Sequence, residues 1–163
     1  MLFRSAYYHW APDSARLVWD RLPMAVTFTS FLAAAIAERI DAKAGVALLA
    51  PFALLGAASV VYWHIGELRG AGDLRPYGFV QFHSALSIAL IVSLFASRYT
   101  RGADVLAVLG LYALAMLCGE LLDQAIFEAS RIVSGHTLKH LIAGAAVLWV
   151  ARMLRGRGAA VDP

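Results

Sequence analysis

Cysteine is almost missing from this chain. The single residue, Cys118, excludes an intramolecular disulfide and any zinc module built on several cysteines. Charge is scarce too: charged residues make up 15% of the 163 positions, against about 25% in soluble domains. The apolar share is 61% even with glycine left out, where soluble domains reach roughly 45–50% with it. A disordered chain is thereby ruled out, and an ordinary soluble globule is a poor fit. There is no linker, no low-complexity tract and no convincing repeat. Residues 1–10 are not expected to act as a secretory signal, because no long apolar run and no small-residue cleavage site follow Arg4. The net charge of +3 hints at nucleic acid. The basic residues, however, sit between apolar runs, so they read as loop charges on a membrane protein and nucleic acid is not an expected partner.

What is present is a series of apolar runs. A bilayer span takes about 20 mostly apolar residues. Four segments meet or approach that length without a charge: 22–37, 44–66, 76–97 and 132–151, the last interrupted only by Lys139. A fifth, 105–119, can continue past Glu120 and Asp123 to Phe127 if those carboxylates face a bundle interior. The expected architecture is all-α: a polytopic transmembrane bundle of five spans, preceded by a helix stub over 1–10. One domain is expected over 1–154, followed by a flexible tail over 155–163. The connections 11–21, 38–43, 67–75, 98–104 and 128–131 are short, which makes neighbouring helices antiparallel and adjacent.

Parity then assigns the loops to sides. One side carries Arg16, Arg21, Arg69, Arg75 and Arg131; the other carries Arg39, Lys43, Arg98, Arg101, Arg152, Arg155 and Arg157. Seven basic residues against five favour a cytoplasmic C-terminus.

Ionisable groups within or beside a span are costly and mark candidate sites. In His136-Thr-Leu-Lys-His140 the two histidines are spaced i, i+4, on one helical face and one turn apart, where both imidazoles can reach a single ion. Two packed histidines bonded to neighbours are the commoner meaning of such a pair taken alone. Ser5 and His9 share the same spacing and, alone, read as an ordinary helix end. Asp20, alone, reads as a helix-start residue with Pro23 in the first turn. Parity alters the weighing, since His9, Asp20, His136 and His140 all fall near one membrane face. Three imidazoles leave the fourth position of a tetrahedral zinc open for water, whose pKa zinc lowers to about 7.

The segment running from Ser5-Ala-Tyr-Tyr-His9 through Trp19-Asp20-Arg21-Leu22-Pro23-Met24 resembles the signature of the alkaline ceramidase family. His136-Thr-Leu-Lys-His140 resembles that family's C-terminal histidine pair, and Gly72-Asp-Leu-Arg-Pro-Tyr-Gly-Phe-Val-Gln-Phe82 resembles its bacterial members. The wider group is the CREST superfamily of membrane hydrolases. The resemblance implies a zinc-dependent amidase in a seven-helix bundle, with His9, His136 and His140 as zinc ligands. It implies that Asp20 orients the attacking water and takes its proton, and that Ser5 hydrogen-bonds the substrate carbonyl. The implied substrate is ceramide or a related N-acyl membrane lipid, and the products a fatty acid and a sphingoid base. Set against seven helices, five spans and a stub lack the first helix and most of the second, so an N-terminally shortened bacterial-type member is expected, multi-pass in the inner membrane. The same site parts also suit a lipid esterase or phospholipase-like hydrolase, or a receptor-like zinc protein without turnover.

His64 and His83 fall near the same face and read mainly as interfacial or packing histidines. Lys139, beside the histidine pair, would repel a bound zinc; it is expected to snorkel or to pair with Asp123 or Glu120, and those carboxylates could instead support the ligand histidines. Trp10, Trp19, Tyr62, Trp63, Tyr77 and Trp149 read mostly as interface aromatics, Tyr7 and Tyr8 as packing or cleft residues, and Cys118 as a small core residue. A topology reporter fused after Pro163 is expected to signal the cytoplasm; an external signal would reverse the assignment of sides.

Overall fold

A computed structural model describes residues 14–159. Helices dominate it. The order is α1 (Ser14–Arg39), α2 (Ala42–Leu68), α3 (Arg75–Leu94), α4 (Asp104–Met116), a π-helical turn (Leu117–Leu121), α5 (Asp123–Ser130) and α6 (Gly135–Arg155). Four stretches are long and apolar enough to cross a membrane: Ala42–Leu68, Arg75–Leu94, Asp104–Leu121 and Gly135–Arg155. Large apolar side chains such as Leu54, Phe79, Leu94, Leu121, Ile132 and Leu148 point outward. So much exposed apolar surface suits hydrocarbon rather than water. The remaining expected span, 22–37, lies inside α1, which is long enough but carries Arg16, Asp20, Arg21, Glu38 and Arg39 and is not among the four.

The chain divides into two compact units, the first ending at Phe95 and the second starting at Ala96. In the first, α1 packs on α2 through small residues. A Cβ at Gly45 would collide with the backbone of Ala37, and one at Gly56 would crowd the Ala25 carbonyl and the Thr29 hydroxyl. The two glycines are three turns apart on one face of α2, so the helices approach closely along that face. Thr29 turns its hydroxyl inward to the Ala25 carbonyl at 2.9 Å and Ser59 does the same to Gly56 at 2.7 Å, which satisfies both without water.

α1 starts before the apolar run, and Asp20 and Pro23 are inside it rather than at its first turn. The cause is packing. Leu17, Val18 and Leu22 lie against a buried cluster of Ala25, Val60, Trp63 and Tyr77. The Arg21 guanidinium sits 5.3 Å from the Trp63 ring centroid and 5.1 Å from that of Tyr77. A residue expected in a loop is thus held over two aromatic faces, and Trp63 and Tyr77 are core residues, not interface ones. Trp19, Tyr62 and Trp149 do remain exposed.

The ends of the helices explain their boundaries. Asp41 caps α2 by accepting the Ala44 N–H at 2.6 Å. Arg39, its side chain almost wholly buried, reaches from the end of α1 to the end of α3 and donates through Nη1 to the carbonyls of Val92 at 3.1 Å and Phe95 at 2.6 Å. Those carbonyls have no partner in the turn above, so the guanidinium closes the helix from outside. In the loop before α3, Asp73 accepts from Arg75, and that guanidinium holds the Asp73 carboxyl below the usual carboxylate range.

In the second unit Val105, Ala115, Cys118 and Met153 are buried, with α4 and the π turn against α6. Gly158 accepts from the Thr100 N–H at 2.9 Å, and Ala159 forms an isolated bridge with Tyr99.

Replacing Arg39 by Ala is expected to leave the Val92 and Phe95 carbonyls short of a donor and to cost about 2 kcal/mol. Unfolding in mixed micelles with rising sodium dodecyl sulfate measures it; a midpoint equal to wild type would show that the contact contributes nothing.

Candidate metal-binding site

The histidine pair opens α6, and the local sequence dictates where that helix begins. Ser130 accepts from the Ile132 and Val133 N–H groups, and Arg131 takes a left-handed conformation (φ 58°), so the chain reverses after α5. The run 132–151 therefore does not begin its helix until Gly135, behind the N-cap Ser134. Ser134 accepts from the Thr137 N–H at 3.1 Å. Asp123 accepts from the His136 N–H at 2.6 Å. Two of the unpaired donors at the helix start are thereby satisfied, one of them by a carboxylate suited to the positive end of the helix dipole.

From this fixed start, His136 and His140 stack one turn apart. Their ring centroids are 4.8 Å apart and the rings are inclined at 75°. Their Nε2 atoms lie 3.1 Å from each other. That separation suits a hydrogen bond between one protonated and one bare nitrogen. It also suits a shared ion: two nitrogens bound to one tetrahedral zinc at about 2.0–2.1 Å are about 3.3 Å apart. Both Nε2 atoms would then be unprotonated, with the protons on Nδ1. The donor chemistry fits zinc, and both side chains are half-buried, so a ligand can reach them.

The expected helix over 105–127 is broken. Leu122 donates to the Leu117 carbonyl at 3.0 Å, an i→i+5 bond that widens the turn, and α5 then sets off with eight residues. A Cβ at Gly135 would run into the Cys118 carbonyl and the Asp123 backbone, so the start of α6 is pressed onto this turn. The break also separates the carboxylates. Glu120 pairs with Lys139, with Oε1 and Nζ 2.5 Å apart. Asp123 binds the backbone of His136 and not a lysine.

Of the five predicted site residues, the structure brings His136 and His140 together. Asp20 is half-buried on α1 in the first unit, while the pair belongs to the second. Ser5 and His9 lie outside the described residues. Among the described residues, no group of three or more metal-ligating side chains is assembled. His83 stacks on Phe79 at 5.1 Å, and His64 packs beside Trp63 with its Nδ1 buried and, among the described residues, lacking a hydrogen-bond partner. Cys118 is buried and free. An open groove of about 440 Å³ between α2 and α3, lined by Leu55, Ser59, Phe79 and Val80 with Asp73 and Arg75 at its edge, contains none of the predicted residues. In the sequence Asp123 read as a support for the ligand histidines or a partner of Lys139; that its contact falls on the His136 backbone N–H was not visible. Compared with known proteins, the chain matches no family model, no curated relative and no solved structure.

Substituting Asp123 by Ala is expected to expose the His136 N–H and to destabilise the first turn of α6 by about 1 kcal/mol. Hydrogen exchange of that amide reports it, with roughly fivefold faster exchange expected. An unchanged rate would mean that the cap does not hold the turn.

Proposed function

We propose that the chain is a zinc-dependent membrane amidase acting on ceramide or a related N-acyl lipid. The observation that carries the reading is the 3.1 Å separation of the His136 and His140 Nε2 atoms, half-buried at the start of an apolar helix. The resemblance of the 5–24 and 136–140 motifs to the alkaline ceramidases adds the substrate class. In this reading α1 is a fifth span, the protein is multi-pass in a bacterial inner membrane, and its C-terminus is cytoplasmic.

His9, His136 and His140 would hold the ion through unprotonated ring nitrogens. Zinc, when bound, polarises the scissile carbonyl and makes water acidic enough to attack near neutral pH. Asp20 orients the attacking water, accepts its proton and returns it to the leaving amine. The Ser5 hydroxyl donates to the carbonyl oxygen, where negative charge develops. The hydrolysed bond is the amide C–N bond, giving a fatty acid and a sphingoid base. Lipid reaches such a site laterally from the bilayer, consistent with the outward-facing apolar surface of the spans.

The test is zinc content and lipid turnover on the same preparations. The detergent-solubilised chain is expected to hold about one zinc and to release fatty acid from an N-acyl sphingoid base, whereas His136→Ala/His140→Ala loses both. Asp20→Ala is expected to keep the metal and lose turnover by at least a hundredfold. Full turnover in Asp20→Ala contradicts the mechanism, and a folded wild-type chain that binds no zinc contradicts the proposal.

A further inference from the structure

The histidine pair shares its turn of helix with a cation. Lys139 stands between His136 and His140, and an ammonium there opposes any divalent ion that the imidazoles bind. Three features of the neighbouring segment bear on where that charge goes. Its partner Glu120 is on the π turn, and the two side chains are in direct ionic contact. Gly119, next to Glu120, leaves room for the lysine stem: a Cβ there would strike the Cβ, Cγ and Cδ atoms of Lys139. The same turn receives Gly135 against the Cys118 carbonyl, and Asp123 just beyond it holds the His136 N–H. All of these contacts meet at the widened turn, which shifts 119, 120 and 123 off the ordinary 100° spacing of an uninterrupted α-helix.

We infer that the π turn is a positioning element for the metal site, in which Glu120 neutralises Lys139 and draws it along Gly119, so that His136 and His140 can take a divalent cation. The inference rests on the proposed metal site and adds residues to it. Glu120 and Lys139 touch neither substrate nor reacting atoms; they set the electrostatic field in which the ion binds. The paired carboxylate contributes most where water is thin, and the Glu120 side chain, about half exposed, is still within reach of salt.

The test measures binding of Zn2+ alone to the full chain in detergent, by competition with a chromophoric chelator, and needs no turnover. Glu120→Gln is expected to weaken Zn2+ affinity about tenfold at low salt and less at 0.5 M salt, with the helix content unchanged. Lys139→Gln is expected to bind at least as tightly as wild type, and Glu120→Gln/Lys139→Gln to return to within about threefold of it. Wild-type affinity in Glu120→Gln overturns the inference while leaving the metal site standing. So does a double variant that stays as weak as Glu120→Gln, which would mark the glutamate as merely structural. If Glu120→Gln fails to fold, Lys139→Gln decides alone: weaker binding than wild type overturns the inference. A wild-type chain that takes no Zn2+ overturns both readings together.

Discussion

Every N–H and C=O that enters hydrocarbon must find a partner within the protein, because the solvent offers none. The rest of the structure follows from that constraint. It makes most of each apolar run helical and keeps the stretches between helices short. It also explains why helix ends are closed by side chains: Asp41 and Ser134 at the N-termini of their own helices, and, from other elements, Arg39 on the carbonyls of α3 and Asp123 on the first turn of α6. The π turn over Leu117–Leu121 is where the apolar backbone departs from α geometry, and it sits beside the histidine pair. Such turns place side chains differently from a regular helix, and they recur at functional positions.

The length of the charge-free apolar runs made most of the helices legible. The apolar runs at 44–66, 76–97 and 132–151 lie within or largely overlap α2, α3 and α6, because a run of that length has no other stable form in a bilayer. The break after Met116 was not legible: no residue in 117–121 marks a π turn, and its contacts with Gly135 and Lys139 come from a distant segment. Nor was the reach of α1. Arg16 and Arg21 looked like loop charges and Asp20 like a helix start, yet Arg21 finds Trp63 and Tyr77, two aromatics that read as interface residues.

The candidate site was legible in part. Spacing alone put His136 and His140 on one face, and α-helical geometry guaranteed that they could meet. The choice between Asp123 and Glu120 as partner of Lys139 was open in the sequence, since both carboxylates precede α6 by a similar distance. Backbone geometry decides it, by turning Glu120 toward the lysine and Asp123 toward the His136 amide. Asp20 comes from a different compact unit, and no local pattern relates it to the pair.

The central claim is that His136 and His140 bind a metal through Nε2. X-ray absorption at the zinc edge of the zinc-loaded chain tests it most directly. The account predicts a four-coordinate shell of nitrogen and oxygen at about 2.0–2.1 Å with the outer-shell scattering of at least two imidazoles, absent from His136→Ala/His140→Ala. A shell without imidazole scattering, or one containing sulfur from Cys118, would contradict it.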